Sequence, residues 1–265
     1  MRKFHLLFSS RRTWAWPYVL FLILFVVLPL IIMGIYAFTD VDGHFTLNNF
    51  SQFPKDHAAM TTFWFSLKIA LLNTLICLLV GYPAAYIMAN EEFKTPKVMA
   101  ILFILPMWIN LLLRTIATKE LFDKCGLPLG EGALLFGLCY DFLPFMIYPI
   151  YNTIQKMDKS LIEAAQDLGA SRWKCFWKVT VPLSVPGIYS GIIMVFMPTV
   201  STFAIAEILT NRSKLLFGSL IQDNMSRSLT LNYGAALSLL LLIIIGLTSF
   251  FGNHGGNEGE KGGVA

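Results

Sequence analysis

Long apolar segments alternate with shorter polar segments along most of the chain. Each apolar segment is close to the ~20 residues that a helix needs to cross the hydrocarbon core of a bilayer. The pattern therefore predicts an all-α integral membrane protein with six transmembrane helices. The predicted spans are 18–38, 69–88, 98–117, 132–151, 186–208 and 234–251.

The polar segments predict the domain organisation and the orientation. A transmembrane domain is predicted at 18–251, between an N-terminal segment at 1–17 and a Gly-rich tail at 252–265, which we expect to be disordered. Most of the 20 Lys and Arg residues lie on the same side of the membrane as the N-terminal segment, and several of them are in the loop at 152–185. Because basic residues accumulate on the cytoplasmic side, both termini and this loop are predicted to be cytoplasmic.

The composition supports a membrane protein. Hydrophobic residues make up 56% of the chain and charged residues 14%, whereas soluble domains have about 25% charged residues. One soluble core with a polar shell cannot accommodate so much apolar surface. The formal net charge of +4 is too small to indicate a nucleic-acid partner, and we expect none.

The loop at 152–185 contains a pattern typical of a short helix outside the membrane. Ser160 and Glu163 match a capping box, in which each residue's side chain accepts a hydrogen bond from the other's backbone amide. Gly169 is placed where a left-handed residue ends a helix. Small and apolar residues at helical spacing form one narrow stripe: Leu161, Ala164, Ala165 and Leu168. Such a helix either docks in a groove of another protein or rests on the lipid surface, and the spacing leaves both interpretations open.

A second short helix is predicted directly after the first. Ser171 can cap it, and it carries Trp173, Phe176 and Trp177. We expect this helix to end before Pro182.

These residues resemble a motif of permease subunits of ABC importers. The motif is Glu-Ala-Ala, three residues, Gly, nine residues, then Ile-x-Leu-Pro, and this chain differs by Val at two apolar positions near its end. The resemblance implies the type I ABC importer permease fold, with the first helix of the loop as a coupling helix. Residues implied to couple to the ATPase subunit are Ser160, Glu163, Ala164, Ala165, Leu168, Gly169 and Pro182.

The resemblance also implies partners. A cytoplasmic dimer of ABC ATP-binding subunits would bind ATP and Mg, a second homologous permease subunit would complete the pore, and an external binding protein would deliver cargo. This chain would be a translocating subunit with no enzymatic activity and no cofactor of its own. It would lie in a bacterial inner membrane as a multi-pass protein.

Three further segments narrow the resemblance to spermidine/putrescine permeases. They are 81–86 in the second span, 140–146 in the fourth span and 157–171 in the loop. The cargo implied is a polyamine, received from a polyamine-binding protein. Permeases for ferric iron, thiamine or organophosphonates share much of this pattern and stay open as alternatives.

Ionisable and aromatic residues in the spans are candidates for the cargo path. Asp141 is placed to attract a polyammonium cargo, or else is protonated or hydrogen-bonded to a neighbouring helix. Glu207 could receive cargo or cap a helix junction, and Arg114 is expected to pair with Glu120 or Asp123. Aromatic candidates, for which packing is the alternative role, are Trp108, Tyr140 and Tyr148.

The sequence lacks patterns for several other functions. It has neither the HExxH pattern of zinc proteases, nor a GxSxG nucleophile elbow, nor a P-loop. The four cysteines share no spacing that indicates a metal site. Outside the transporters, a membrane scaffold or a stand-alone channel stays open as an alternative.

Overall fold

The computed structural model describes residues 16–89, 105–158 and 160–254. These residues are helical apart from turns, loops and one isolated bridge between Thr39 and Phe45, so the predicted all-α class is confirmed. Five helices within them are long and apolar enough to cross a membrane. Most of the N-terminal segment and of the predicted tail lies outside the described residues.

Within the described residues the α-helices follow in chain order, and they are numbered here in that order. They are α1 (Trp16–Ala37), α2 (Asn48–Gln52), α3 (His57–Ala89), α4 (Leu111–Lys124), α5 (Glu131–Gln155), α6 (Ser160–Asp167), α7 (Arg172–Ser201), α8 (Ala204–Leu209), α9 (Phe217–Met225) and α10 (Leu231–His254). Single 3₁₀ turns occupy Phe53–Lys55, Leu105–Trp108 and Ser228–Thr230. π-Helical turns interrupt α1 at Ile23–Val27 and α7 at Phe176–Thr180.

Two predicted spans differ from the helices. Within the described part of 98–117, the helical structure is interrupted after Trp108. The Asn110 side chain then caps α4 by accepting a hydrogen bond of 2.8 Å from Leu112 N. In 186–208, a break at Thr202 and Phe203 separates α7 from α8. Both breaks occur in apolar sequence, where hydropathy alone predicts one continuous helix.

The chain divides into two compact units. The first comprises the described residues up to Asp56 together with Ile221–Leu242. Its small core packs Ala37 against Ala235 and Ala236. Asn232 is buried and donates hydrogen bonds from Nδ2 to the carbonyl oxygens of Tyr36 and Thr39, at 3.1 and 2.8 Å. These bonds add a tie from α10 to the carbonyls at and just after the end of α1.

The second unit contains α3, α5 and α7, which pack closely on one another. Glycine permits the approach, because a Cβ on Gly191 would lie 2.6 Å from Met146 Sδ, and one on Gly187 would lie 2.5 Å from Thr153 Oγ1. A buried hydrogen bond of 3.0 Å from Asn73 Nδ2 to Thr199 Oγ1 joins α3 to α7. In the chain, α6 lies between α5 and α7 of this packed group.

Candidate functional site

The helix α6 begins differently from the predicted capping box. The acceptor at its start is Asp158, whose Oδ1 accepts a hydrogen bond of 3.0 Å from Ser160 N. This bond favours the ionised carboxylate and lowers the pKa of Asp158. The negative charge also lies at the helix N-terminus, where it interacts favourably with the helix dipole. The described helix therefore begins at Ser160, and the side chain of Asp158, not that of Ser160, accepts the hydrogen bond at its N-terminus.

The end of α6 is formed as predicted. Gly169 has φ +81°, a left-handed conformation that costs glycine little. Its amide donates to Gln166 O at 2.8 Å, and the amide of Ala170 donates to Ala165 O at 3.0 Å. This pair of bonds is a Schellman motif, which satisfies the last carbonyls of the helix.

The apolar stripe of α6 points mostly away from the rest of the chain. Leu168 is 90% exposed and Leu161 47% exposed, and Ala164 and Glu163 are also exposed. Ala165 is half-buried, and no residue of α6 is fully buried. The helix thus presents a slim apolar surface that its own chain does not cover, bordered by a carboxylate.

The helix that follows does not end before Pro182, and this prediction is wrong. Ser171 caps α7 by accepting a hydrogen bond of 3.3 Å from Lys174 N, and α7 continues to Ser201. The π-turn at Phe176–Thr180 shifts the hydrogen-bond register, so that Pro182 falls in the first turn of a new α-helical stretch. In a first turn the missing N–H of proline costs nothing.

Asp141 lies in a buried ion pair. Its Oδ1 is 2.9 Å from Arg114 Nη2, and the two side chains are 1% and 5% exposed. The Arg114 guanidinium also donates to Tyr140 O at 2.7 Å and lies 4.6 Å above the Tyr140 ring. Thr115 Oγ1 donates to Asp141 Oδ2 at 3.4 Å. Arg114 therefore joins α4 to α5 and neutralises Asp141.

This pairing corrects one sequence prediction and agrees with one of the roles considered for Asp141. Arg114 was expected to pair with Glu120 or Asp123, but its partner is Asp141 on the next span. Of the two roles considered for Asp141, the geometry matches bonding to a neighbouring helix. A signal was available in the sequence, since opposite charges within membrane spans tend to pair with one another.

The other predicted cargo residues lie at separate places. Glu207 on α8 is 3.6 Å from Arg212, with the Glu207 side chain 24% exposed. Trp108 is 85% exposed in a 3₁₀ turn. Tyr140 and Tyr148 are each about half exposed and lie eight residues apart on α5. The structure thus brings Tyr140, Asp141 and Arg114 into contact. The other predicted cargo residues, Glu207, Trp108 and Tyr148, do not take part in this cluster.

The chain matches the family model described as binding-protein-dependent transport system inner membrane component, over residues 81–254. The chain belongs to this family. The match includes α6 and all the residues predicted to couple it to an ATPase subunit.

Curated relatives agree with this membership. The spermidine/putrescine transport system permease protein PotB of Escherichia coli (strain K12) is 35% identical over 249 residues, covering 85% of this chain and 90% of the relative. PotB of Haemophilus influenzae is 32% identical over 255 residues, covering 86% and 88%. A PotB homolog of Mycoplasma genitalium is 29% identical over 210 residues, covering 75% and 74%.

Solved structures share the fold. A chain of a bacterial alginate ABC transporter, crystallised with its alginate-bound periplasmic protein, superposes with a TM-score of 0.75 at 15% identity, covering 96% of both chains. A chain of a methionine ABC transporter superposes with a TM-score of 0.64, covering 76% of this chain and 95% of that one. The chain therefore has the type I permease fold. The family membership and the PotB relatives identify it as a multi-pass permease subunit of an ABC importer.

Proposed function

We propose that this chain carries polyamines, spermidine or putrescine, across a bacterial inner membrane as one permease subunit of an ATP-driven importer. The observation that carries the proposal is the 35% identity over 249 residues with a spermidine/putrescine permease. The matched region covers 85% of the chain, so it includes α3, α5 and α7 as well as α6.

The exposed stripe on α6 supports a docking role. A dimer of cytoplasmic ATP-binding subunits, which bind ATP and Mg, would receive Leu161, Ala164 and Leu168 in a groove. Small residues let the helix lie deep in such a groove, and Glu163 can set its register. Both termini then lie in the cytoplasm with α6. A second permease subunit and an external polyamine-binding protein complete the importer.

The proposed mechanism needs two states of the permease pair. ATP binding closes the ATPase dimer and moves α6, and the bundle opens toward the external binding protein. Hydrolysis returns α6 and opens the bundle toward the cytoplasm. Each ligand shifts the equilibrium only by its difference in affinity for the two states.

Aromatic faces suit the cargo better than Asp141 does in this subunit. The carboxylate of Asp141 is neutralised by Arg114, so it adds little attraction for a polyammonium ion. Tyr148 is about half exposed, and a free ring face attracts an ammonium group by about 0.5–2 kcal/mol. The Tyr140 ring already has the Arg114 guanidinium 4.6 Å above it, which leaves only its other face for cargo. Glu207, which is partly accessible beside Arg212, is the carboxylate placed to contribute.

Uptake of radiolabelled spermidine and putrescine tests the function. Cells that lack this chain should lose uptake of at least one of them, and the wild-type chain should restore it. Leu168→Glu should restore it poorly because the charge lies in the proposed docking stripe. Leu229→Glu is a matched control, because Leu229 is 81% exposed but lies outside α6. If the restored cells accumulate neither polyamine, the cargo assignment is wrong; if Leu168→Glu restores full uptake, the docking role is wrong.

A further inference from the structure

An aromatic cluster lies where the segment after α6 meets α3. Phe176 is at its centre, with ring centroids 4.9 Å from Tyr86 and 5.8 Å from Tyr82, both edge-to-face. On its other side the ring lies 5.8 Å from Trp173 and 5.2 Å from Trp177. We call these five residues the aromatic junction. Such ring pairs hold specific mutual orientations in addition to their apolar contact.

The aromatic junction connects to α6 on one side. The helix α6 packs against the segment Arg172–Thr180. Within that segment Cys175 is buried, with its Sγ 3.8 Å from Ala170 O in the turn that ends α6. A displacement of α6 therefore carries this segment, and Phe176 with it.

The aromatic junction connects to the bundle on the other side. Tyr82 and Tyr86 lie one turn apart on α3, and Phe176 packs against both. The Tyr82 hydroxyl also forms a hydrogen bond of 2.9 Å with the buried Ser184 Oγ on α7. Phe176 is thus in direct contact with two rings of α3, whereas Trp177, which is 53% exposed, lies at the outer edge of the junction.

Phe176 is also the first residue of the π-turn in α7. A π-turn differs from an α-turn by one residue of hydrogen-bond register, and such turns are frequent at functional sites. Phe176 therefore lies where the hydrogen-bond register of α7 changes, in the segment that packs against α6.

We propose that Phe176 is a positioning residue that transmits movement of α6 to α3 through Tyr82 and Tyr86. The inference rests on the proposed function, because it takes α6 as the part that the ATPase subunits move. Phe176 itself contacts neither cargo nor nucleotide in this scheme. Its role is to keep the segment after α6 in a fixed orientation on α3 while both move.

The test uses the complete importer reconstituted in lipid vesicles with its ATPase subunits, partner permease and binding protein. Phe176→Ala should leave assembly and basal ATP hydrolysis intact. It should lower the hydrolysis stimulated by loaded binding protein, and uptake, by about two- to thirtyfold, the range for residues that modulate coupling. Phe176→Tyr should restore most of the loss. Trp177→Ala is the matched control and should stay near wild type.

A second variant keeps the test decisive if Phe176→Ala assembles poorly. Tyr86→Leu removes the ring of α3 nearest to Phe176 and should give the same uncoupling, and the double variant should be no worse than either single one. Full stimulation in Phe176→Ala, or equal losses in Phe176→Ala and Trp177→Ala, would overturn the inference. A wild-type importer that hydrolyses ATP on stimulation but takes up no polyamine would overturn the proposed cargo alone.

Discussion

Replacing Asp141 with Asn removes one charge from a buried pair and changes the side chain's shape very little. The guanidinium of Arg114 then stays in a site that is 5% exposed, without a counter-charge at 2.9 Å. Two unit charges about 4 Å apart interact by about 4 kcal/mol at an effective dielectric constant near 20. Breaking one side of a buried pair costs about 3–5 kcal/mol in measured cases.

The structure places the expected cost at the lower end of this range. Arg114 keeps its hydrogen bond to Tyr140 O and its position over the Tyr140 ring, so we expect a loss of about 3 kcal/mol. Thermal unfolding of the detergent-purified protein and its abundance in membranes should both fall. The concentration of polyamine that gives half-maximal uptake should stay unchanged in the protein that remains.

Two controls make the measurement specific. Glu131→Gln breaks the Lys68–Glu131 pair, which has the same 2.9 Å separation but side chains 60% and 38% exposed, and should cost at most about 1 kcal/mol. Adding Arg114→Gln to Asp141→Asn removes the buried cationic charge as well and should recover part of the stability. The reasoning is refuted if Asp141→Asn unfolds at the wild-type temperature while its half-saturating polyamine concentration rises, since Asp141 would then contact cargo.

Three further predictions concern α6 and the bundle. Gly169→Ala should cost about 1–2 kcal/mol at its left-handed φ and reduce stimulated ATP hydrolysis. Gly126→Ala, at φ +66°, should cost a similar amount but leave the stimulated hydrolysis near wild type; equal losses of hydrolysis would contradict a role for the α6 end. Gly191→Ala should lower the unfolding temperature because its Cβ would meet Met146, while Gly34→Ala, with open space around it, should not, and an unchanged temperature would refute this packing. Because the pKa of Asp158 is lowered in the folded chain, its contribution is present at neutral pH and is lost as pH falls through that pKa. The protection factors of the α6 amides, which are exchange rates corrected for the intrinsic effect of pH, should therefore fall in acid, and Asp158→Asn should remove that pH dependence; an unchanged dependence would mean that another group titrates.

Local features of α6 could be predicted from sequence where a short-range rule applies. Gly169 ends the helix because only a left-handed residue satisfies the last carbonyls there, and that requirement is met within six residues. The residue that caps the start of α6 was predicted wrongly: Ser160 was expected, and the structure has Asp158. Asp158 and Ser160 both have side chains that can cap a helix, and spacing alone did not show which one would accept the bond.

The amino-acid sequence alone determined that the chain is helical and lies in a membrane, because continuous apolar segments of ~20 residues cross a bilayer as helices, whose backbone groups are satisfied internally. It also determined the exposed stripe of α6, which follows from helical periodicity. Only the tertiary structure decided that Arg114 faces Asp141, that α7 passes Pro182 through a π-turn, and that Phe176 packs on Tyr82 and Tyr86. These contacts depend on which faces of separate helices meet, and the hydropathy of a helix surrounded by lipid does not specify that face.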